Sequence, residues 1–341
     1  MELLTALPFQ KIAFRHWGPD DREGTAVIAK GTFGVNPDGQ LHLASAQAPL
    51  VEGDVFHGDP ASSSLKLEQD LAPFKPRTDV TFALTARAPG GNPLPDWPVS
   101  VEIAGRAFYG FHVRGPSAWQ RQRGIWRLSP PDPVHEIPIR YELAYGGQAP
   151  ERDQPQVHQF NPAGTGFVTD HLLADATQIP APQIGDLSEF MADDIRAPMT
   201  VHGLGPIAKS WLPRRAEAGT FDDHWKTTRH PRMPKDYSFA FWNAAPQRLQ
   251  LDPHLRGGEH ILLRGFHPRP EPQRVILPFA ELYLRDAAGD NRVMSLTDVQ
   301  IDLEAEDPAL HRVVLVWRAF LDLPPRIETL TIETKALEAP T

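Results

Sequence analysis

The sequence contains no cysteine. That excludes a disulfide framework, a thiol nucleophile and a cysteine-ligated metal centre. Positive charge is also in short supply: 34 lysines and arginines stand against 43 aspartates and glutamates, a formal net charge of -9. Neither a nucleic acid nor an anionic membrane surface is therefore expected as a partner. No stretch of the sequence approaches the roughly 20 apolar residues of a membrane helix. The opening MELLTALPFQKIAF has no basic region followed by an apolar core. It lacks the pattern of a secretory signal, so a cytoplasmic protein is expected. No tandem repeat or low-complexity linker divides the 341 residues. One domain is expected over residues 1–341, β-rich over residues 1–145, loop-rich over residues 146–255 and β-rich again over residues 256–341.

What is abundant is proline, 36 residues beside 25 glycines. Proline removes a backbone donor and clashes inside helices, which argues against a helical bundle or coiled coil. The prolines are interleaved with tryptophan, phenylalanine and branched aliphatics, which argues against simple disorder. Short β-prone stretches run from Phe9 to Trp17, Thr25 to Phe33, Gln40 to Leu43, Thr78 to Ala88, Val99 to Ile103, Ala107 to Val113 and Pro138 to Ala144. Asn36-Pro37-Asp38-Gly39 has the chemistry of a tight turn. Further strands are expected over Glu259 to Phe266, Arg274 to Phe279 and Thr297 to Leu303, with a last edge strand over Ile327 to Ile332. The apolar run in His311 to Phe320 reads as a strand covered on both faces. The expected fold is mainly β: mixed or antiparallel sheets in a sandwich- or barrel-like arrangement, long ordered proline-rich loops and a few short helices. The best helix spans Phe221 to Arg229, capped by Thr220, with Phe221 and Trp225 turned towards the core. Asp170 to Ala176 suits one or two further helical turns.

Residues that could carry chemistry are present without a compact motif. His224, His230, His254, His260 and His267 match no metal-ligand spacing, and loop or surface histidines are the plainer reading. Asp193-Asp194 and Asp222-Asp223 could serve as an acid and a base only if folding separated their protonation states. Helix-end electrostatics explains the second pair more simply. Ser62-Ser63-Ser64 sits in no nucleophile elbow. Asn161-Pro162-Ala163-Gly164-Thr165-Gly166 lacks the lysine of a phosphate loop. No catalytic, metal or cofactor residue is assigned. More informative is the cluster of Trp97, Phe108, Tyr109, Phe111, Trp119 and Trp126 with Arg121, Arg123 and Arg127 beside them. Aromatics with arginines are typical of protein interfaces, and an aromatic core with an exposed rim is the plainer alternative.

Taken in order, several stretches resemble the bacterial DUF2169 family. They are Lys30-Gly31-Thr32-Phe33; Lys75-Pro76 with Thr78-Asp79; Ile139 to Gly147 with its Glu142 and double glycine; and Asn161 to Gly166. Gly203-Leu204-Gly205-Pro206 follows, then Trp211 to Arg215, Ala218 to Trp225, Asn243-Ala244-Ala245-Pro246 and Leu315 to Ala319. Two stretches depart from the family pattern: Phe111-His112-Val113-Arg114-Gly115, which lacks an aspartate, and Ile179-Pro180-Ala181-Pro182. The resemblance implies a type VI secretion adaptor or chaperone, not an enzyme. Its implied partners are a cognate toxic effector and the VgrG-type spike protein onto which that effector is loaded. The candidate contact residues are Trp97, Phe111, Trp119, Arg121, Arg123, Trp126, Arg127, Arg214, Arg215, Asp222 and Trp225. Two alternatives stand beside this: an enzyme, hydrolytic or carbohydrate-active, with a loop-built site, and a structural accessory of the secretion apparatus.

Overall fold

The structure, a computed structural model, describes residues 2–286, 289, 291–321 and 329–335. It is mainly β, with several mixed and antiparallel sheets and three short α-helices, and among the described residues no sheet closes into a barrel. The main sheet runs in the order Gln10–Trp17, Glu23–Val35, Arg312–Leu321, Ser295–Asp302, Thr78–Ala83, Gln250–Leu251, with Leu41–Leu43 also paired to Glu23–Val35. Its neighbours are antiparallel except Ser295–Asp302 beside Thr78–Ala83. A second, antiparallel sheet orders Ile184–Gly185, Ala107–Arg114, Asp96–Ile103, His260–Arg264 and Gln273–Ile276. A third joins Glu2–Thr5, Thr329–Lys335, Glu281–Asp286 and Asn291–Val293.

Alternation along the strands builds one core between these layers. Val313, Leu315 and Trp317 join Val27, Ala29 and Phe33 from the main sheet and Val99, Val101, Tyr109, Phe111 and Ile261 from the second. Val314 and Val316 point the other way, against Ile28, Ile12 and Phe14. The strand Arg312–Leu321 is thus covered on both faces, as its unbroken apolar run suggests. Gly31 lies opposite Leu315 in this pairing. A side chain there would come within 2.6 Å of the Phe9 ring, which stacks on Trp317 with centroids 5.6 Å apart. The expected turn at Asn36 closes with Gly39 at φ 88° and its N–H donating to the Asn36 carbonyl at 2.9 Å.

Three local expectations are corrected. Pro138 to Ala144 is not a strand. The strand Glu136–Pro138 ends there and a 3-10 turn follows over Tyr141–Leu143. The Asn161 amide donates to the Tyr141 carbonyl, which a neighbouring strand would need. The helix expected over Phe221 to Arg229 is shorter, Asp223–Thr228, and Asp222 caps it by accepting from the Trp225 N–H at 2.7 Å. Thr220 instead donates its hydroxyl to Asp236 at 2.7 Å. Phe221 and Trp225 do share a face, but at the surface: their rings meet edge to face at 4.7 Å and Phe221 is 54% exposed. Of the expected last strand, Ile327 and Glu328 lie outside the described residues; Thr329–Lys335 is a strand.

Candidate functional site

The outer face of the main sheet carries charged residues where apolar ones would be expected. Lys30, Asp79, Asp298 and Arg318 all lie within its strands and are all buried. The loops that cover them supply the partners. Lys75, 1% exposed, places its ammonium 2.8 Å from Glu68, 2.8 Å from Asp79 and 2.6 Å from Asp298. Arg318 pairs with Asp298 and also donates to the Asp70 and Ala72 carbonyls. Lys30 pairs with Asp70 at 2.7 Å. Arg214 pairs with Glu68 and donates to the carbonyls of Ile207 and Phe241. Asn243 and the Ala244 N–H complete Asp79. Four cations thus meet four carboxylates. Burial alone would lower the Lys75 pKa, but the charges of Asp298, Asp79 and Glu68 outweigh it and hold the ammonium above its ordinary value. Burial would likewise raise Asp298, yet Arg318 and Lys75 bring its carboxyl well below the usual range. The carboxylates of Glu68, Asp79 and Asp298 converge closely enough to hold a metal ion. The Lys75 ammonium already occupies their centre.

Several residues that carry the family resemblance, Lys30, Lys75, Asp79, Arg214, Asn243 and Arg318, belong to this network. They tie the loops to the sheet. Sequence reasoning passed over Glu68, Asp70, Asp298 and Arg318 as a set. The available signal was a charge inside an otherwise apolar strand, as at Asp298 and Arg318.

Beside the network, a cavity of about 400 Å³ opens between the sheet face and the covering loops. Gln300, Arg312 and Val314 form its floor, with His57, Ser64 and Arg140 among its walls. Burial and the adjacent Arg140 charge push the His57 pKa down. The Ser64 hydroxyl donates to Glu142 at 2.8 Å. No hydrogen bond joins it to the His57 ring among the described residues, so the cavity holds no assembled serine–histidine pair.

The proposed contact residues separate into interior and surface. Trp97, Phe111 and Arg214 are 2%, 4% and 2% exposed. They have no surface to offer a partner, and their assignment as contacts is corrected: the first two are core and the third belongs to the charge network. Trp119 is buried and Trp126 half-buried in a small cluster with Leu173 and Ile179. The hairpin of Ala118–Gln122 and Ile125–Leu128 leaves Arg121, Arg123 and Arg127 exposed. Arg121 donates to the Ala174 carbonyl near the end of the helix Asp170–Asp175. Arg215 is exposed and donates to Gln159 at 2.6 Å.

Asp222 and Trp225 lie on an aromatic ledge at the edge of the main sheet. Trp225 meets Phe221 on one side and His230 at 5.4 Å on the other, and its indole N–H donates to the Arg232 carbonyl. Arg232 lies 5.4 Å over the Trp17 ring. Arg229 pairs with Asp21 at 2.9 Å, fastening the ledge to the turn between Gln10–Trp17 and Glu23–Val35. Sequence reading identified Trp225 but not Trp17, which lies far away in the chain.

Among the described residues, none of His224, His230, His254, His260 and His267 enters a group able to ligate a metal, and no helix is long and apolar enough to cross a membrane. No curated protein and no solved structure matches the chain. A family model described as an uncharacterized protein conserved in bacteria, DUF2169, matches residues 20–318, from the turn that holds Asp21 to the buried Arg318, and the chain belongs to that family.

Proposed function

We propose that this chain is a cytoplasmic, non-enzymatic adaptor that holds a cognate type VI secretion effector and assists its loading onto a VgrG-type spike protein. The observation that carries this reading is the ledge of Phe221, Trp225, Trp17 and Arg232: exposed or half-buried aromatics and an arginine, held in place by a cap, an ion pair and a cation–π contact. Aromatic and arginine side chains fixed before binding lose little freedom on association, and they dominate protein interfaces for that reason. The exposed arginines of the Ala118–Leu128 hairpin form a second candidate contact. An adaptor must release its cargo, so selectivity matters more than extreme affinity. The test is co-expression with the products of neighbouring genes, followed by pulldown and size-exclusion chromatography. A complex with an effector or spike protein is expected. Failure to bind any of them, alongside reproducible turnover of a small substrate, overturns the reading.

The cavity over the main sheet favours a second reading, a small-molecule or enzymatic site, because concave pockets with titratable walls are where such sites occur. Of the acids that line it, Glu68, Asp79 and Asp298 are already paired with Lys75, Arg214 and Arg318, and Glu304 with Arg140, which favours the first.

A further inference from the structure

The second sheet ends in the short strand Ile184–Gly185, and the helix Leu187–Phe190 follows at once. Asp186 and Glu189 stand three residues apart there, one helical turn, on the same side. Glu189 is held in place: its two oxygens accept from the Asp186 N–H at 3.0 Å and the Thr200 N–H at 2.7 Å. The loop after Thr200 brings in His202, which is 5% exposed. Tyr109 and Phe111 flank its ring with centroids 5.8 and 5.5 Å away. Its Nδ1 lies 3.2 Å from the Tyr109 hydroxyl. Its Nε2 makes no hydrogen bond although it is buried, and it points at the two carboxylates, 3.4 Å from the Asp186 oxygen.

We propose that Asp186, Glu189 and His202 form a binding site for a divalent transition-metal ion, of which zinc is the representative. One ligand atom from each residue lies within 4.8 Å of the others. Metal–ligand bonds of about 2.1 Å at tetrahedral angles place their ends about 3.4 Å apart, which is the separation of His202 Nε2 from Asp186. That distance is long for a hydrogen bond, so the carboxylate alone satisfies the ring poorly. When Nδ1–H donates to the Tyr109 oxygen, the Nε2 lone pair faces two negative carboxylates, and a cation between them resolves the conflict. A histidine ligand whose other ring nitrogen is held by a hydrogen-bond partner is the usual arrangement at metal sites. One imidazole nitrogen and two carboxylate oxygens suit zinc. Asp186 and Glu189 are partly exposed, which gives the ion a route in and leaves room for water as a fourth ligand. Arg248, stacked over Tyr109 at 5.7 Å, is the opposing charge, and two carboxylates outnumber it. The ion would act as a staple. The loop that carries His202 reaches the main sheet through the Leu204 carbonyl, which accepts from Phe82 N–H at 2.9 Å. Metal at this point would fasten that loop to the second sheet as well.

The test uses the full chain without a histidine tag, stripped with chelator and titrated with Zn²⁺ and with Co²⁺. One ion per chain is expected, with a visible absorption band for cobalt in a low-coordinate nitrogen–oxygen site. At a hundredfold excess of free Zn²⁺ over its Kd, the thermal midpoint should rise by about 4 °C. Asp186→Asn and Glu189→Gln should each weaken binding at least tenfold, and the double variant should lose both the thermal shift and the cobalt band. His202→Gln should lose the band too; because His202 is buried, the two carboxylate variants, checked for folding by circular dichroism, carry the decision. Absence of saturable binding of both metals overturns the site. So does unchanged affinity in the folded double variant, which would place the ion on other histidines.

Discussion

Lys75 shows why single residues matter out of proportion here. Its ammonium faces three carboxylates at 2.6 to 2.8 Å with almost no exposure. Removing it leaves buried acids uncompensated. Lys75→Met should therefore destabilise the protein by about 3–5 kcal/mol, measured by urea unfolding. Arg264→Ala, which breaks the exposed pair with Glu102, should cost under about 1 kcal/mol. Equal effects would mean that the buried network does not hold the loops. The titration directions of Asp298 and Lys75 agree with this picture, while burial outweighs the Lys75 charge at Asp79 and pushes its carboxyl above the ordinary value. Asp298, held below its ordinary pKa, contributes stability above the unfolded value of about 4, and that contribution is lost as pH falls. Lys75, held above its ordinary pKa, contributes fully below about 10.5 and loses that contribution as pH rises. Little of this was legible in the sequence. Lys75 and Asp79 stood out there only as members of a family resemblance. Their partners Glu68 and Asp298 are 7 and 223 positions from Lys75, and nothing local announces a contact across 223 residues.

At the scale of elements, the sequence was most readable where alternation and turn chemistry act locally. Arg312–Leu321, Glu23–Val35 and the Asn36 turn follow from period-two patterning and from proline and glycine in a turn. The helix Asp223–Thr228 was legible in place but not in its cap or its face. Thr220 and Asp222 are both good caps, and Thr220 is drawn away by Asp236, which only the folded chain brings near. The spacing of Phe221 and Trp225 reveals that they share a face. It does not reveal whether core or solvent lies beyond. Asp222→Ala should cost about 1 kcal/mol of local stability. The loss should appear as faster amide exchange at the Trp225 N–H, with little change in the global unfolding midpoint. An unchanged exchange rate would show that the ion pair of Arg229 with Asp21 fixes the ledge without the cap.

The whole molecule is a β scaffold whose outer sheet face is roofed by loops, and its stability should follow the histidines beneath and beside that roof. His57, His158 and His254 are each pushed below 6.5 by burial, with Arg140 adding to the effect at His57 and Asp252 and Asp298 opposing it at His254. Unfolded, they take up protons near 6.5; folded, they resist until lower pH. Stability should thus decline as pH falls below about 6.5, visible as a lower thermal midpoint at about pH 5.5 than at about pH 7.5. A midpoint unchanged across that range would mean that these rings are hydrated in the fold. The proline count that suggested ordered loops fits this architecture, since Pro49 and Pro206 line the roofed cavity. The proposed adaptor role is tested by calorimetric titration of the chain with candidate effector and spike proteins from neighbouring genes. Saturable binding to one of them is expected, weakened at least tenfold by Phe221→Ala with the thermal midpoint unchanged. Binding that is equally tight in the folded Phe221→Ala variant, or absent in the native chain, would contradict the adaptor role of the ledge.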